Sequence, residues 1–295
     1  MRALSNVVID ATLGLASLAG RVWMSIPPSD GTSIARNIPY GPEPRHRLDV
    51  YTPTQSLGFD VLYVHGGSFR TCSKESHTYV GRVLAAAGIR VWMIDYGLAP
   101  RFPYPVAHDD ARLAYTWLRG GLSRGRSVAV AGDSAGGNVV LSLAIEACGG
   151  FAGVEPLLPP PEAVVCLSGL LRVRGSARAY AEHRVARNRL AQIESDYLGD
   201  IEDAARAEPL AALADFDRTR ELPPVFVAVG DEDPIAADSH ALAGHLPDAM
   251  LREYAGQGHA FMISPFRKAS SRCWADVVDF LLAALGHASQ RPPSL

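Results

Sequence analysis

The sequence predicts an α/β fold in which a mostly parallel central sheet is covered by helices on both faces. Short, continuously apolar runs alternate along the chain with helical patterns of about a dozen residues, as in repeated β-α-β units. The chain has 295 residues, of which 48% are hydrophobic and 20% are charged, so it is large enough for one extensive core. Neither an internal repeat nor a low-complexity tract interrupts the pattern.

The predicted strands and helices follow one another from residue 47 to residue 285. Apolar and β-branched runs predict strands at 47–51, 61–65, 90–95, 127–132, 163–168, 225–229 and 250–254. Apolar residues at helical spacing predict helices at 75–87, 106–118, 136–147, 236–246 and 271–285. Because the strands are apolar along their length, we expect both faces of the sheet to be buried.

Two stretches depart from the alternation and are predicted to form a helical lid. Residues 1–40 include apolar residues at roughly helical spacing, and their charge-free run at 11–20 is too short to cross a bilayer. Residues 169–221 contain no strong strand, are rich in alanine and arginine, and are too many for a plain loop. We therefore predict an N-terminal helical segment over 1–40 and a main α/β domain over 41–295 that carries the inserted segment.

Charge and cysteine usage exclude several classes of protein. The formal net charge is −3, and no basic surplus indicates a nucleic-acid partner. The four cysteines lie far apart without a C-x-x-C pair, which predicts reduced thiols and neither a zinc site nor a redox centre. We expect a cytoplasmic protein without an integral membrane segment, which acts on a small molecule as a monomer or homodimer.

A candidate nucleophile lies where an apolar strand passes into a helix. Gly132, Asp133, Ser134, Ala135 and Gly136 form a G-x-S-x-G motif between these two elements. So sharp a turn strains its central residue and lifts the hydroxyl of Ser134 clear of the sheet, while the two glycines let backbone pass close by. The positive end of the following helix favours a developing oxyanion. Ser134 is therefore predicted to be a catalytic serine.

A second loop has the composition of an oxyanion hole. The strand at 61–64 ends in His65, Gly66, Gly67 and Ser68, whose small side chains let backbone N–H groups approach a substrate. We expect donors from Gly67, Ser68 and the N–H of Ala135, with Gly66 in support. His65 stands at the end of a strand, so we interpret it as a brace for the loop and not as a catalytic base.

The base and its orienting acid are predicted from their order along the chain. In a strand-turn-helix hydrolase the serine is followed by an acid and then by a histidine, each after a strand. His259 follows the strand at 250–254, and three carboxylates follow the strand at 225–229. Asp233 is our choice because it precedes a proline that defines the turn into the next helix. Asp231 and Glu232 remain alternatives.

These motifs together resemble those of a known family. Residues 132–137 (GDSAGG, ending at Gly137), 95–100 (DYGLAP, with Asp110 beyond it), 233–235 and 256–261 are its most specific parts. The sequence is similar to the hormone-sensitive lipase group of α/β-hydrolase carboxylesterases over about residues 45–285. The resemblance implies the α/β-hydrolase fold, a triad of Ser134, His259 and Asp233, and an oxyanion hole built from the backbone.

One position departs from the family pattern. The family's loop usually reads His-Gly-Gly-Gly, whereas Ser68 stands here in place of the last glycine. The added side chain is expected to narrow the acyl pocket or to place a hydroxyl in it, which disfavours esters of bulky alcohols. Residues 45–51, ahead of the same loop, also resemble those of formamidases and methylesterases.

The resemblance implies hydrolysis of carboxylic esters of small or medium acyl groups, through an acyl-enzyme and without a cofactor or metal. Two alternatives share its motifs. One is amide, formamide or thioester hydrolysis, or acyl transfer in a biosynthetic pathway, with the same triad. The other is a non-catalytic relative that binds a small ligand under its lid. Proteins of the second kind usually lack a member of the triad, and here all three positions are filled.

Overall fold

A computed structural model describes residues 30–123, 125–151, 159–180, 184–216, 221–265 and 267–285. Within these residues eight strands form one sheet in the order β1-β2-β4-β3-β5-β6-β7-β8. The strands are β1 Ser33–Pro39, β2 Arg47–Thr52, β3 Phe59–Val64, β4 Arg90–Ile94, β5 Ser127–Asp133, β6 Ala163–Leu167, β7 Val225–Gly230 and β8 Met250–Tyr254. The pairs β1–β2 and β2–β4 are antiparallel, and all the others are parallel. The predicted mostly parallel sheet is confirmed.

Helices cover both faces of this sheet. They are α1 Thr78–Ala86, which follows a 3₁₀ turn at Lys74–His77, α2 Val106–Gly120, α3 Ala135–Ala147, α7 Ala236–His245 and α8 Lys268–Ala284. Successive residues of β3 alternate between two hydrophobic clusters: Val61 and Tyr63 pack with α1 and α8, while Leu62 and Val64 pack with α2 and α3. The inner strands β2 to β7 are therefore buried on both sides, as predicted, whereas most residues of the edge strand β8 are exposed.

The segment predicted as a helical insertion is helical in its described part. It contains α4 Ser176–Ala179, α5 Arg184–Ile193, a π-helix at Glu194–Leu198, a 3₁₀ turn at Ala205–Ala207 and α6 Pro209–Ala214. Asp238 of α7 accepts hydrogen bonds from the N–H groups of Leu171 and Arg172, at 2.9 and 3.1 Å, and from the hydroxyl of Tyr180. The start of the insertion is thus tied to the main domain.

The predicted N-terminal helical segment is wrong for part of its length. Residues 33–39 form the edge strand β1, which pairs with β2 from Ser33 opposite Thr52 to Pro39 opposite Arg47. Most side chains of β1 are exposed, so the strand lacks the apolar alternation on which the sequence prediction relied. Residues 1–29 of that predicted segment lie outside the described residues. No helix among the described residues is both long and apolar enough to cross a membrane.

A charged cluster closes the amino end of the parallel strands. The Asp60 side chain, near the start of β3, is fully buried and accepts hydrogen bonds from Arg90 Nε at 2.9 Å and Nη2 at 2.6 Å. Arg126 Nε donates to the same carboxylate at 3.1 Å. Because loops at the opposite, carboxyl end of the strands carry the candidate catalytic residues, this cluster lies far from them.

Candidate active site

Ser134 occupies the turn between β5 and α3 in a strained conformation. Its φ of 52° and ψ of −115° are backbone angles that residues with a side chain rarely adopt, and the residue is only 7% exposed. A Cβ atom at Gly136 would lie 2.0 Å from the carbonyl oxygen of Val64, and one at Gly132 would lie 2.5 Å from the backbone of Gly136. The G-x-S-x-G spacing is therefore a steric requirement of this turn.

The structure brings the three predicted triad residues together. His259 Nε2 lies 2.9 Å from Ser134 Oγ, and His259 Nδ1 lies 2.9 and 3.0 Å from the two carboxylate oxygens of Asp233. The three residues follow β5, β7 and β8, whose carboxyl ends meet at the same edge of the sheet. This is the arrangement of a nucleophile, a base and a group that orients the base.

The acid and the base alter each other's pKa. Desolvation lowers the pKa of His259, whose side chain is 35% exposed, but the charge and hydrogen bond of Asp233 outweigh it and raise the pKa above its ordinary value. Burial raises the pKa of Asp233, but His259 and the N–H of Ile235 at 3.0 Å outweigh it and hold the pKa low. An ionised Asp233 accepts the Nδ1 proton and leaves the Nε2 lone pair facing Ser134.

The two competing carboxylates lie elsewhere. Asp231 and Glu232 are exposed, and Asp231 Oδ1 accepts a hydrogen bond from the N–H of Gly256 at 2.7 Å. Asp233 is buried, and it is the carboxylate in contact with His259. The geometry therefore favours Asp233 over both alternatives.

The predicted oxyanion loop at residues 65–68 is held in a tight turn with residues 69–71, and the whole segment 65–71 is called the oxyanion loop below. The carbonyl oxygen of Gly67 accepts hydrogen bonds at 3.0 Å from the N–H groups of Arg70 and Thr71 and from the Thr71 hydroxyl. Because a peptide unit is planar and trans, this fixes the N–H of Ser68 in the opposite direction, out of the turn. Gly67 has a φ of 115° and Ser68 a φ of 60°. Ser68 thus adopts the left-handed conformation that a glycine would take more easily.

Comparison with known proteins identifies the family. A family model described as alpha/beta hydrolase fold matches residues 61–263. The chain belongs to the alpha/beta hydrolase fold family. The predicted fold class is therefore confirmed by the topology of the sheet and by this match.

Individual relatives of this hydrolase are esterases. The chain is 29% identical to the carboxylesterase/phospholipase LipF of Mycobacterium tuberculosis over 302 residues, which cover 95% of this chain and 76% of the relative. It is 29% identical to an acetyl esterase of Salmonella typhi, with 83% of this chain and 77% of the relative covered. A crystal structure of an esterase from the bacterial hormone-sensitive lipase family matches with a TM-score of 0.74 and 26% identity, over 94% of this chain and 98% of that one. The resemblance to hormone-sensitive lipase-type esterases is confirmed.

Asp133 ties the oxyanion loop of this hydrolase to the serine turn. Its Oδ1 accepts hydrogen bonds from the N–H of Gly66 at 3.0 Å and from the hydroxyl of Tyr63 at 2.8 Å, and His77 Nε2 lies 3.1 Å away. Burial raises the pKa of Asp133, but His77, Tyr63 and Gly66 together outweigh it and lower the pKa. Since the N–H of Gly66 is engaged by Asp133, Gly66 supports the loop and does not face a substrate.

His65 has the surroundings of a brace. Its Nδ1 lies 2.7 Å from the carbonyl oxygen of Gly66, and its ring stacks on Tyr96 with the centroids 4.4 Å apart. The hydroxyl of Tyr96 donates to the carbonyl oxygen of His65 at 2.9 Å. Burial lowers the pKa of His65 to about 3, so the ring is neutral. These contacts support the predicted role in holding the loop.

Asp110 and Gly137 hold segments that surround the site without taking part in it. The Asp110 carboxylate accepts hydrogen bonds from Arg45 Nε and from the N–H of Gly97, both at 2.8 Å, and lies 2.8 Å from His46 Nε2. It thereby fixes the 95–100 motif. A Cβ atom at Gly137 would lie 3.0 Å from the Cα atom of Gly169, so α3 packs closely against the start of the insertion.

Sequence reasoning missed several polar residues around the site. His77 and Tyr63, the partners of Asp133, and Asn138, one residue beyond the GDSAGG motif, are fully buried. The only signal in the sequence is a polar side chain within a core-facing pattern, which indicates a buried hydrogen bond without naming its partner. No cluster of His, Cys, Asp and Glu side chains in the described ranges is arranged to hold a metal ion.

Proposed function

We propose that this hydrolase cleaves carboxylic esters of small or medium acyl groups through an acyl-enzyme formed on Ser134. The observation that carries the proposal is the contact of Ser134 Oγ with His259 Nε2 at 2.9 Å, together with the contact of His259 Nδ1 with Asp233 at 2.9 Å. A serine hydroxyl is a weak nucleophile unless an oriented base takes its proton.

The mechanism proceeds in two acyl transfers. Ser134 Oγ attacks the ester carbonyl carbon while His259 Nε2 takes its proton, and the tetrahedral intermediate collapses as His259 returns that proton to the leaving alcohol. Water then attacks the acyl-enzyme while His259 takes one of its protons, and His259 returns that proton to Ser134 Oγ as the bond to the acyl carbon breaks and the carboxylic acid leaves. Asp233 keeps the proton of the imidazole on Nδ1 and stabilises the imidazolium formed in each step.

The oxyanion is stabilised by the backbone in this proposal. The donors are the N–H groups of Gly67, Ser68 and Ala135, and the hydrogen bonds on the Gly67 carbonyl hold the N–H of Ser68 in place before substrate arrives. Ala135 is the first residue of α3, so the positive end of that helix adds to the stabilisation.

The substrate class rests on the relatives and on Ser68. One relative is named an acetyl esterase and another a carboxylesterase/phospholipase. We expect a serine in place of the family's last loop glycine to narrow the acyl pocket or to place a hydroxyl in it, which disfavours esters of bulky alcohols. Amides and thioesters remain the alternative substrates, because the triad is common to all three chemistries.

The insertion over 169–221 is proposed to act as a lid, together with the segment that precedes β1. We further propose that the enzyme works in the cytoplasm as a monomer or homodimer; the free thiols of Cys72, Cys148, Cys166 and Cys273 support a reducing compartment. Size-exclusion chromatography with light scattering measures the oligomeric state.

A panel of p-nitrophenyl esters from acetate to palmitate tests the activity, with the matched anilide and thioester of the best acyl group beside it. We expect a maximum at short or medium chains and lower turnover of the anilide and the thioester. Ser134→Ala is expected to lose at least about 10³-fold in kcat and all reaction with a fluorophosphonate serine probe. Activity near that of the wild type in Ser134→Ala would refute the proposed nucleophile.

A further inference from the structure

The insertion makes direct contact with the oxyanion loop. The ring of Tyr197, from the π-helix Glu194–Leu198, stacks on Phe69 with the centroids 3.9 Å apart and the planes 5° from parallel. Asp196 of the same turn forms an ion pair with Arg70 Nε at 2.7 Å. Phe69 directly follows Ser68, so the residue after the proposed oxyanion donor packs face to face on the insertion.

Tyr197 also begins a buried chain of hydrogen bonds that leads to α3. Its hydroxyl lies 2.9 Å from His108 Nδ1, and His108 Nε2 lies 3.2 Å from Asn138 Oδ1. Tyr197 and Asn138 are fully buried, and His108 is nearly so. Asn138 lies in the first turn of α3, and its N–H donates to the carbonyl oxygen of Ser134 at 3.2 Å.

The direction of every hydrogen bond in this chain follows from the geometry. The Asn138 amide nitrogen donates to two carbonyl oxygens, those of Leu170 at 2.8 Å and Ala207 at 2.9 Å, so its oxygen must face His108. His108 Nε2 therefore carries the proton. Burial lowers the pKa of His108 to about 3, so the ring is neutral and Nδ1 is an acceptor. The hydroxyl of Tyr197 is then the donor, and each partner has one permitted orientation.

These contacts join the two parts of the proposed oxyanion hole through the insertion. One end of the chain is Phe69, beside the N–H of Ser68, and the other is the first turn of α3, which supplies the N–H of Ala135. We propose that Tyr197 and His108 are positioning residues, which set the distance between these two groups of donors. The proposal rests on the function proposed above and adds that the insertion takes part in stabilising the transition state.

The expected effect is on turnover and not on substrate binding. Donors displaced by a fraction of an ångström form weaker hydrogen bonds to an oxyanion. A neutral ester carbonyl depends less on these hydrogen bonds, so substrate binding should change less than turnover. Tyr197→Phe keeps the stack on Phe69 but removes the hydroxyl, and we expect kcat to fall by about 3- to 10-fold. Tyr197→Leu also removes the stack, and we expect about 10- to 100-fold. KM is expected to change less than about twofold in both.

The decisive measurement uses a trifluoromethyl ketone with the best acyl chain, which adds the serine oxygen and presents an oxyanion to the hole. Its inhibition constant is expected to rise by the factor by which kcat/KM falls in Tyr197→Phe, Tyr197→Leu and His108→Gln. The double variant Tyr197→Phe/His108→Gln is expected to lose no more kcat/KM than the more impaired of the two single variants, because both substitutions break the same chain of hydrogen bonds. All rates are expressed per site titrated with a fluorophosphonate.

Tyr115→Phe is the matched control. This tyrosine is also buried, lies on α2 like His108, and donates its hydroxyl to the carbonyl oxygen of Pro159 at 2.8 Å. It has no part in the oxyanion loop, so kcat and the inhibition constant are expected to stay within about twofold of the wild type.

Two results would overturn the inference. One is an unchanged inhibition constant in Tyr197→Phe and Tyr197→Leu. The other is a loss confined to the number of titratable sites, which is the mark of a purely structural role. Failure of the proposed function is distinguishable, because it appears as an inactive wild type or an active Ser134→Ala.

Discussion

Replacing Asp233 by asparagine is expected to reverse the tautomer of His259. In the native site the N–H of Ile235 donates to Asp233 Oδ1 at 3.0 Å, while Oδ2 lies 2.9 Å from His259 Nδ1. An asparagine must keep its carbonyl oxygen toward Ile235, which places its NH₂ group against His259 Nδ1. That nitrogen then has to accept, so the ring proton moves to Nε2, where it faces Ser134 and blocks proton transfer.

The magnitude follows from the loss of a correctly protonated base. A triad with the wrong tautomer loses about 10⁴-fold in kcat, and we expect about 10³- to 10⁴-fold at neutral pH, or about 4 to 5.5 kcal/mol of transition-state stabilisation. The pKa of His259 is also expected to fall. Asp233 holds it above its ordinary value against the desolvation that lowers it, and without that charge desolvation prevails. A neutral imidazole is the base, so the acid limb of kcat/KM should move to lower pH.

The assay is hydrolysis of p-nitrophenyl butyrate between pH 5 and pH 9, with kcat/KM normalised to the folded fraction. The wild type is expected to show an acid limb above pH 6.5, the ordinary pKa of histidine. Asp231→Asn is the control, since this neighbouring carboxylate is exposed and should change kcat less than about twofold. An equal loss in Asp231→Asn, or activity retained in Asp233→Asn, would refute the assignment.

Three further predictions concern the loop, the amino end of the sheet and pH. Gly67→Ala places a Cβ atom 2.1 Å from a backbone oxygen of its own loop, so kcat should fall at least about 10²-fold, while Ser68→Gly in the same assay stays within about threefold. Asp60→Ala removes the carboxylate that accepts hydrogen bonds from Arg90 and Arg126, so the free energy of unfolding measured by urea titration should fall by about 3 kcal/mol. The value of kcat/KM per folded molecule should stay unchanged, and a change in it would contradict the separation of this cluster from the active site. His65 and His108 have a pKa of about 3 when folded and 6.5 otherwise, so their protonation favours the unfolded chain, and their share of the free energy of unfolding should fall by about 4 kcal/mol from pH 7 to pH 5. Burial raises the pKa of Asp95 to about 6 and that of Glu208 to about 7, so these two carboxyls act in the opposite direction and offset much of that loss. The histidine share is therefore measured by difference: between pH 7 and pH 5, His108→Gln should lose about 2 kcal/mol less than the wild type.

Most of the fold was predictable because its signals are local. Each interior strand is a mostly apolar run between turn residues, and predicted and observed ends differ by two residues at most. The edge strand β1 was missed because an edge strand with exposed side chains lacks an apolar pattern. It forms because the backbone of β2 offers unpaired hydrogen-bonding groups, which are invisible in the sequence.

The site divides in the same way. Loops that follow parallel strands lie at one edge of the sheet. The strand-end positions of Ser134, Asp233 and His259 therefore predict that the three side chains lie close together. The choice of Asp233 among three neighbouring carboxylates rested on the proline that follows it, and Asp231 and Glu232 stayed open as alternatives, because the sequence does not show which side chain of a turn is buried. The partners of Asp133 and the chain from Tyr197 to Asn138 join positions tens of residues apart.

The sequence by itself determined the strand-helix alternation, the strained serine turn and the order of the catalytic side chains, because each depends on residues adjacent in the chain. Only the tertiary structure decided that Asp233 faces His259 while Asp231 is exposed. It also decided that the insertion contacts the oxyanion loop through the stacked rings of Phe69 and Tyr197. Distances and proton positions at a site are set by packing between segments that are distant in the chain, and the spacing of residues along the sequence does not show that packing.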